Sequence, residues 1–213
     1  MGRFDLVIFD CDGVLVDSER LAIRTEAEVL FHLGWPLTES EIVERFVGRS
    51  ASSMHEAIEE HLGRPVDWEA EFEARYEEVF AHELLPVPGV AEVVRQITVP
   101  MCVASSGSQE KMRFTLGITG LLDVFGERLF SVDEVENGKP APDIFLYASE
   151  KMGVKPDRCA VVEDSVLGVM AGLASEMTVF AFSGGVTNAA RLSIGSAIVF
   201  DDMHMLPALL SAD

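Results

Sequence analysis

Positive charge is scarce in this sequence. Sixteen Lys and Arg residues face 36 Asp and Glu, giving a formal net charge of −20 and a pI near 4.5. Only four of the cations are lysines: Lys111, Lys139, Lys151 and Lys155. A surface this acidic repels nucleic acid and anionic lipid, so neither is expected as a partner. Cysteine is scarce too. Cys11, Cys102 and Cys159 are odd in number, widely spaced and form no CxxC pair, which argues against a disulfide framework or a thiolate zinc site. Cys102 and Cys159 fall inside apolar runs and read as buried thiols, and a reducing cytoplasm is the expected home. Long apolar runs are missing. Stretches such as Leu6 to Phe9 and Val179 to Phe182 are far shorter than the ~20 residues that cross a bilayer. The start, Met1-Gly2-Arg3-Phe4-Asp5, meets an acid too early for a secretory signal. Leu6 stands where a myristoylated Gly2 would be followed by Ser or Thr. The five histidines show no metal-ligand spacing, and no internal repeat or low-complexity segment is present.

What is present is a core. Hydrophobic residues make up 48% of 213, enough for one large domain or for a core with a small insert. Leu6 to Phe9, Val99 to Ala104, Cys159 to Val162, Thr178 to Phe182 and Ala197 to Phe200 read as strands. Their continuous apolar character predicts a parallel sheet covered on both faces. Between them lie helices with ordinary boundary signals: Pro142-Asp143 opens one that Gly153 closes, and Ser165 caps another running to about Ala174. The fold class expected is α/β, a doubly wound, Rossmann-like parallel sheet. The stretch from about Ser18 to Leu85 differs. It is acidic, lacks strand-like runs and is broken at Gly34-Trp35-Pro36, Gly48 and Gly63-Arg64-Pro65. It reads as three or four amphipathic helices inserted into the chain. The expected boundaries are residues 1–15 with 87–213 for the sheet domain and 16–86 for the insert.

In open α/β sheets, chemistry gathers beyond the carboxyl ends of the strands. Three of the expected strands run into Asp10, Ser105 and Glu163-Asp164. Asp10 and Asp12 sit two apart at one strand end, and such carboxylates repel unless a cation or a shared proton intervenes. A cluster of hard oxygens suits Mg²⁺. Each piece also has a plain structural alternative: Asp10 and Asp12 as solvated turn acids, Ser105 as a helix cap, Lys139 as a surface lysine, Asp164 or Ser165 as a cap. An EF-hand fails, because Asp17, Ser18 and Glu19 do not continue its ligand spacing.

Taken together, the pieces resemble a family. Asp10-x-Asp12-Gly13-Val14, Ser105, Lys139 within Gly138-Lys139-Pro140-x-Pro142-Asp143-x-Phe145, and Glu163-Asp164-Ser165 are similar to the four motifs of the haloacid dehalogenase superfamily. They occur in the right order across nearly the whole chain. The helical insert resembles the small cap of its phosphatase and phosphoglucomutase branch. The resemblance implies Asp10 as nucleophile and Mg²⁺ ligand, and Asp12 as acid and base with its carbonyl on the metal. It implies Asp164 as the second carboxylate ligand and Glu163 as holder of a metal-bound water. Ser105, with N–H groups near Ser106 and Gly107, would bind phosphate, and Lys139 would bridge phosphate and Asp10. Gly13 would allow a close backbone approach. Separately, Arg45 and Arg49, at a turn-like break in the insert, are candidates for binding the far end of a substrate, with an ordinary surface arginine paired to a nearby glutamate as the alternative. Because the whole chain is so acidic, a phosphate site must be built locally from metal, lysine and backbone N–H groups.

Within the family, dehalogenases lack the second aspartate of the first motif, so Asp12 favours phosphoryl transfer. Phosphonatases use a cap lysine, and no lysine precedes Lys111. Mutases of the β-phosphoglucomutase type carry a cap-linker His where this chain has Ala22, and differ again at Gly48-Arg49-Ser50-Ala51. The nearest resemblance is to bacterial phosphatases of the 6-phosphogluconate type, through Phe9 to Glu19, Pro100 to Ser105, Lys111-Met112 and Leu116-Gly117. These enzymes often have Asp-Asp in place of Glu163-Asp164. The expectation is a cytoplasmic, monomeric, Mg²⁺-dependent phosphatase of a small phosphorylated metabolite such as a sugar phosphate. A hexose-phosphate mutase is the alternative. From another class, a non-enzymatic sensor of Mg²⁺ and a phosphometabolite would need metal ligands but no proton shuttle at Asp12.

Overall fold

The structure, a computed structural model, describes residues 3–47 and 51–212. By contacts the chain divides into two compact units, residues 1–17 with 85–213, and residues 18–84.

The first unit is built on a parallel sheet of β1 (Leu6–Phe9), β2 (Met101–Ser105), β3 (Leu129–Ser131), β4 (Cys159–Glu163), β5 (Thr178–Phe182) and β6 (Ile198–Phe200), in the order β3-β2-β1-β4-β5-β6. The central strands β1, β2 and β4 are buried along their whole length. That is why they read as unbroken apolar runs rather than as alternation. One buried cluster joins Leu6, Ile8, Cys102, Ala104, Val161 and Val179 of the sheet to helix residues Ile144, Phe145, Ala148 and Val169. All three cysteines are buried thiols. The chain leaves β1 toward β2 and β3 and later returns to the other side with β4. The tips of β1, β2 and β4 therefore adjoin where the winding reverses.

Helix α1 (Ser18–Leu33), α2 (Glu39–Phe46), α3 (Ala51–Leu62) and α4 (Ala74–Glu83) form the second unit, with a π-helical turn at Glu69–Glu73 leading into α4. Thr38 and Glu41 form a capping box at α2. Helix α1 packs on α2 and α4, and Tyr76 donates a hydrogen bond to Glu26 across that contact at 2.8 Å. Trp35 stacks on His61 with centroids 4.0 Å apart, and the Arg45 guanidinium lies 5.8 Å over the same indole. Arg24 pairs with Glu83 at 2.6 Å. Arg45 and Arg24 are thus engaged within the helical unit, whereas Arg49 lies outside the described residues.

The sheet unit adds α5 (Val90–Gln96), α6 (Gln109–Ile118), α7 (Leu122–Phe125), α8 (Asp143–Met152), α9 (Val166–Ala174), α10 (Ala189–Leu192) and α11 (Leu206–Ser211). Ser108 caps α6 and Ser165 caps α9. Gly153 closes α8 in the left-handed region. Two details depart from the sequence reading. Strand β2 begins at Met101 rather than Val99, because Pro100 has no N–H for the ladder and serves only as acceptor, to Val7 N at 3.0 Å. Strand β3, three residues on the sheet edge, is too short to leave a periodic signature. The two chain passages at the edge of this unit pair with each other, through an antiparallel bridge of Val16 with Pro86 and Asp17 N donating to Leu85 O at 2.9 Å.

Candidate active site

Asp10 directly continues β1. Its N–H donates to Val162 O at 2.9 Å, one step beyond the regular ladder, so the backbone is fixed by the neighbouring strand. The chain then turns tightly: Gly13 N donates to Val16 O at 2.8 Å, and Leu15 N and Val16 N both donate to Cys11 O. Gly13 has φ +77°, a conformation that disfavours any side chain. A second reason for glycine is space. A Cβ on Gly13 would stand 2.0 Å from Asp164 Oδ2. The first-motif loop and the residue after β4 are therefore in direct apposition.

Lys139 ties the strand tips together. Its side chain is 5% exposed, and its Nζ donates to Asp10 Oδ1, to Glu163 Oε1 at 2.8 Å and to Ala104 O at 3.3 Å. Those three acceptors come from the ends of β1, β4 and β2, and they match the three protons of an ammonium group. The Phe145 ring lies 4.9 Å from the same nitrogen, a favourable cation–π contact. Burial by itself would lower the Lys139 pKa, but Asp10 and Glu163 outweigh it and hold the group above the ordinary lysine value. Lys139 is therefore a permanent cation. Burial pushes the Asp10 carboxyl up; Lys139 opposes that push and Glu163 adds to it, and the net direction is upward. A buried carboxyl in that position gains from any further cation placed beside it.

Glu163 and Asp164 are 1% and 2% exposed. Glu163 is locked from both sides: Oε1 takes Lys139, and Oε2 accepts from Ser165 N at 2.7 Å and Ser165 Oγ at 2.9 Å. The carboxylate lies so close to α9 that a Cβ on Gly168 would sit 1.6 Å from Oε1. Glutamate at 163 therefore requires glycine at 168. Gly168→Ala should displace the Glu163 carboxylate and loosen Lys139, while the helix, for which Ala is the better former, persists. The expected result is a fall of about tenfold or more in kcat with unchanged helicity by circular dichroism.

Ser105 ends β2 and is buried, with its Oγ accepting from Gly107 N at 3.0 Å. Ser131 Oγ holds Gly107 O at 2.9 Å, and Ser106 is exposed. The cap of the following helix is Ser108, not Ser105. The structure thus gathers Asp10, Asp12, Gly13, Ser105, Gly107, Lys139, Glu163 and Asp164 at one end of the sheet. It adds one residue to which the sequence reading gave no role at the site: Lys111, whose Nζ lies 2.8 Å from Asp12 Oδ2.

Among the described residues, no three His, Cys, Asp or Glu side chains converge as a ready metal cage. The donors that could hold an ion are the side chains of Asp10 and Asp164 and the Asp12 carbonyl. Asp164 itself takes the space that a Cβ on Gly13 would need, and Gly185 lies on it as well: a Cβ there would stand 3.5 Å from Oδ2. An all-oxygen set with few carboxylates is the pattern of an ion that keeps waters and takes substrate oxygens.

Residues 4–175 match the haloacid dehalogenase-like hydrolases. The chain belongs to that family. Among its relatives, the 6-phosphogluconate phosphatase of Escherichia coli (strain K12) is 32% identical over 215 residues, covering 100% of this chain and 97% of that one. A conserved haloacid dehalogenase-like protein from Agrobacterium tumefaciens str. C58 superposes with a TM-score of 0.88 at 34% identity, covering 97% of each chain. A HAD family hydrolase from Deinococcus radiodurans R1, solved with bound phosphate and sodium, gives a TM-score of 0.87 at 31% identity, covering 99% of this chain and 96% of that one. The motif-based resemblance and the α/β fold expected from the strand pattern both hold, and the chain is an enzyme of the phosphatase kind found in this family.

Proposed function

We propose that the protein is a Mg²⁺-dependent phosphatase that hydrolyses a small phosphorylated sugar or sugar acid through an aspartyl-phosphate on Asp10. In this reading it works as a monomer in the cytoplasm. The observation that carries the proposal is the convergence on Asp10: a carboxylate at the tip of the central strand, buried, held by a buried lysine, with Asp12 two residues on and Asp164 against Gly13. No helix among the described residues is long and apolar enough to cross a membrane.

Asp10, the Asp12 carbonyl and Asp164 would hold the ion. When bound, it neutralises phosphoryl charge and orients the carboxylate, which is otherwise a weak nucleophile. Lys139 keeps Asp10 in place and offers its charge to the phosphoryl oxygens. Glu163, bound to Lys139 and Ser165, fixes that lysine. Ser105 Oγ and the backbone ahead of α6 receive a phosphate oxygen, and the Ser108-capped helix adds a favourable dipole. In the first step a bond forms between an Asp10 oxygen and phosphorus, the ester P–O bond breaks, and Asp12 gives its proton to the leaving oxygen. In the second, water attacks phosphorus, Asp12 takes its proton, and the Asp10–phosphorus bond breaks. The helical unit of residues 18–84 is the cap of this reading and selects the leaving group.

A sugar-phosphate substrate is supported by the 6-phosphogluconate phosphatase relative, and the proton-shuttling position of Asp12 favours an enzyme over a sensor. The test is phosphate release from p-nitrophenyl phosphate and from a panel of sugar phosphates including 6-phosphogluconate. Activity should need Mg²⁺, vanish with EDTA and return on adding Mg²⁺. Release that ignores EDTA would remove the metal from the mechanism, and no release from any ester would remove the phosphatase.

A further inference from the structure

Each of the two carboxylates in the Asp10-x-Asp12 loop has its own lysine. Lys139 takes Asp10, and Lys111 takes Asp12, with Nζ 2.8 Å from Oδ2. The remaining lysines belong to other surroundings: Lys151 lies over the Tyr147 ring, and Lys155 precedes the turn into β4. From this geometry we infer that Lys111 is a positioning residue that sets Asp12 for proton exchange with the leaving group.

Helix α6 brings Lys111 to Asp12 from its first turn. The Lys111 N–H donates to the cap Ser108 Oγ at 3.2 Å, which fixes the first turn of α6. Its stem runs beside Gly107, where a Cβ would stand 3.4 Å from Lys111 Cδ, 3.5 Å from Ser105 Oγ and 3.8 Å from Asp12 Oδ2. Lysine, serine and aspartate therefore close around one small residue. One helical turn on, Thr115 Oγ1 lies 3.9 Å from Cys11 Sγ. Positions 111 and 115 lie on the same face of a helix, so α6 grips the loop at Cys11 and Asp12 together. The Asp12 side chain is accessible enough to meet a substrate, while the ammonium restricts where its carboxyl can go. Proton transfer falls off steeply with misplacement of the donor.

The inference rests on the phosphatase reading, and the test separates the two. Phenyl phosphate and p-nitrophenyl phosphate have nearly the same shape, but phenolate is the poorer leaving group and depends more on a donated proton. Lys111→Met, which keeps the stem, should lower kcat/KM for phenyl phosphate by about tenfold or more and for p-nitrophenyl phosphate by less than about threefold. KM should change little, and Lys111→Arg should recover most of the loss. Equal losses on the two esters, a change confined to KM, or no recovery with arginine would overturn the assignment. Wild-type protein that hydrolyses neither ester, with or without Mg²⁺, would instead discard the phosphatase itself. Thermal unfolding of both variants should match wild type, since a half-exposed ion pair contributes little to stability.

Discussion

Asp10→Asn should reduce phosphate release at least about 1,000-fold while the protein stays folded. The amide keeps the shape of the carboxyl but cannot form the acyl phosphate that the proposed route requires. Stability should change little or rise. Asp10 is a buried acid whose charged form is disfavoured by burial, so replacing it with a neutral isostere removes a desolvation cost along with an ion pair. Lys139 keeps Glu163 and the Ala104 carbonyl as acceptors, so no bare buried cation remains. The measurement pairs steady-state turnover with urea unfolding. Turnover at the wild-type rate would remove Asp10 from the mechanism, whereas loss of turnover together with loss of fold would show only a structural role.

Lys139→Met should be the more damaging change to stability. It leaves Asp10 and Glu163, both almost inaccessible to solvent, facing each other with no cation between them. Breaking a buried pair from one side typically costs about 3–5 kcal/mol, because the remaining charge stays buried. The variant should lose about that much in urea unfolding, and at least about 100-fold in turnover. The pH dependence follows in sign. Burial already raises the Asp10 carboxyl, and without lysine nothing opposes that rise. The native state of the variant then binds a proton more tightly than the unfolded chain. A stabilisation of that kind is present at low pH and is lost as pH rises through the native value. Wild-type Asp10 is itself raised to about 7 and loses the same stabilisation up to that point, so the gap to wild type should widen above about pH 7. A constant gap would mean that the two carboxylates relax apart instead of sharing the burden of charge. Mg²⁺ should recover part of the stability but not the turnover, since the ion can neutralise Asp10 without replacing the contact between Lys139 and Glu163.

These two residues also show what kind of information each level carries. Asp10 is visible from a strand that ends in an acid, and Lys139 from a lysine-poor chain that places one of its four in Gly138-Lys139-Pro140. Arg49, by contrast, is a candidate only from its place in a turn-like stretch, and it lies outside the described residues. Glu163 is expected from the resemblance as a holder of metal-bound water, and what the structure adds is that its oxygens meet Lys139 and Ser165. Which neighbours reach a buried carboxylate cannot be read from a string of letters. Gly168 is a further case. It reads as an ordinary small residue inside α9, and only the position of Glu163 explains why a methyl group has no room there.

The sequence by itself determined the parallel sheet, the helical insert and the chemical type of each strand-tip residue. Apolar runs bounded by acids, glycines and capping serines are local facts, and local propensity is enough to express them. Only the tertiary structure decided that Lys111 serves Asp12, because that pair spans 99 positions. A contact over that distance is set by how the strands are ordered and how α6 comes back to the tip of β1. No periodicity within a window of residues carries that order.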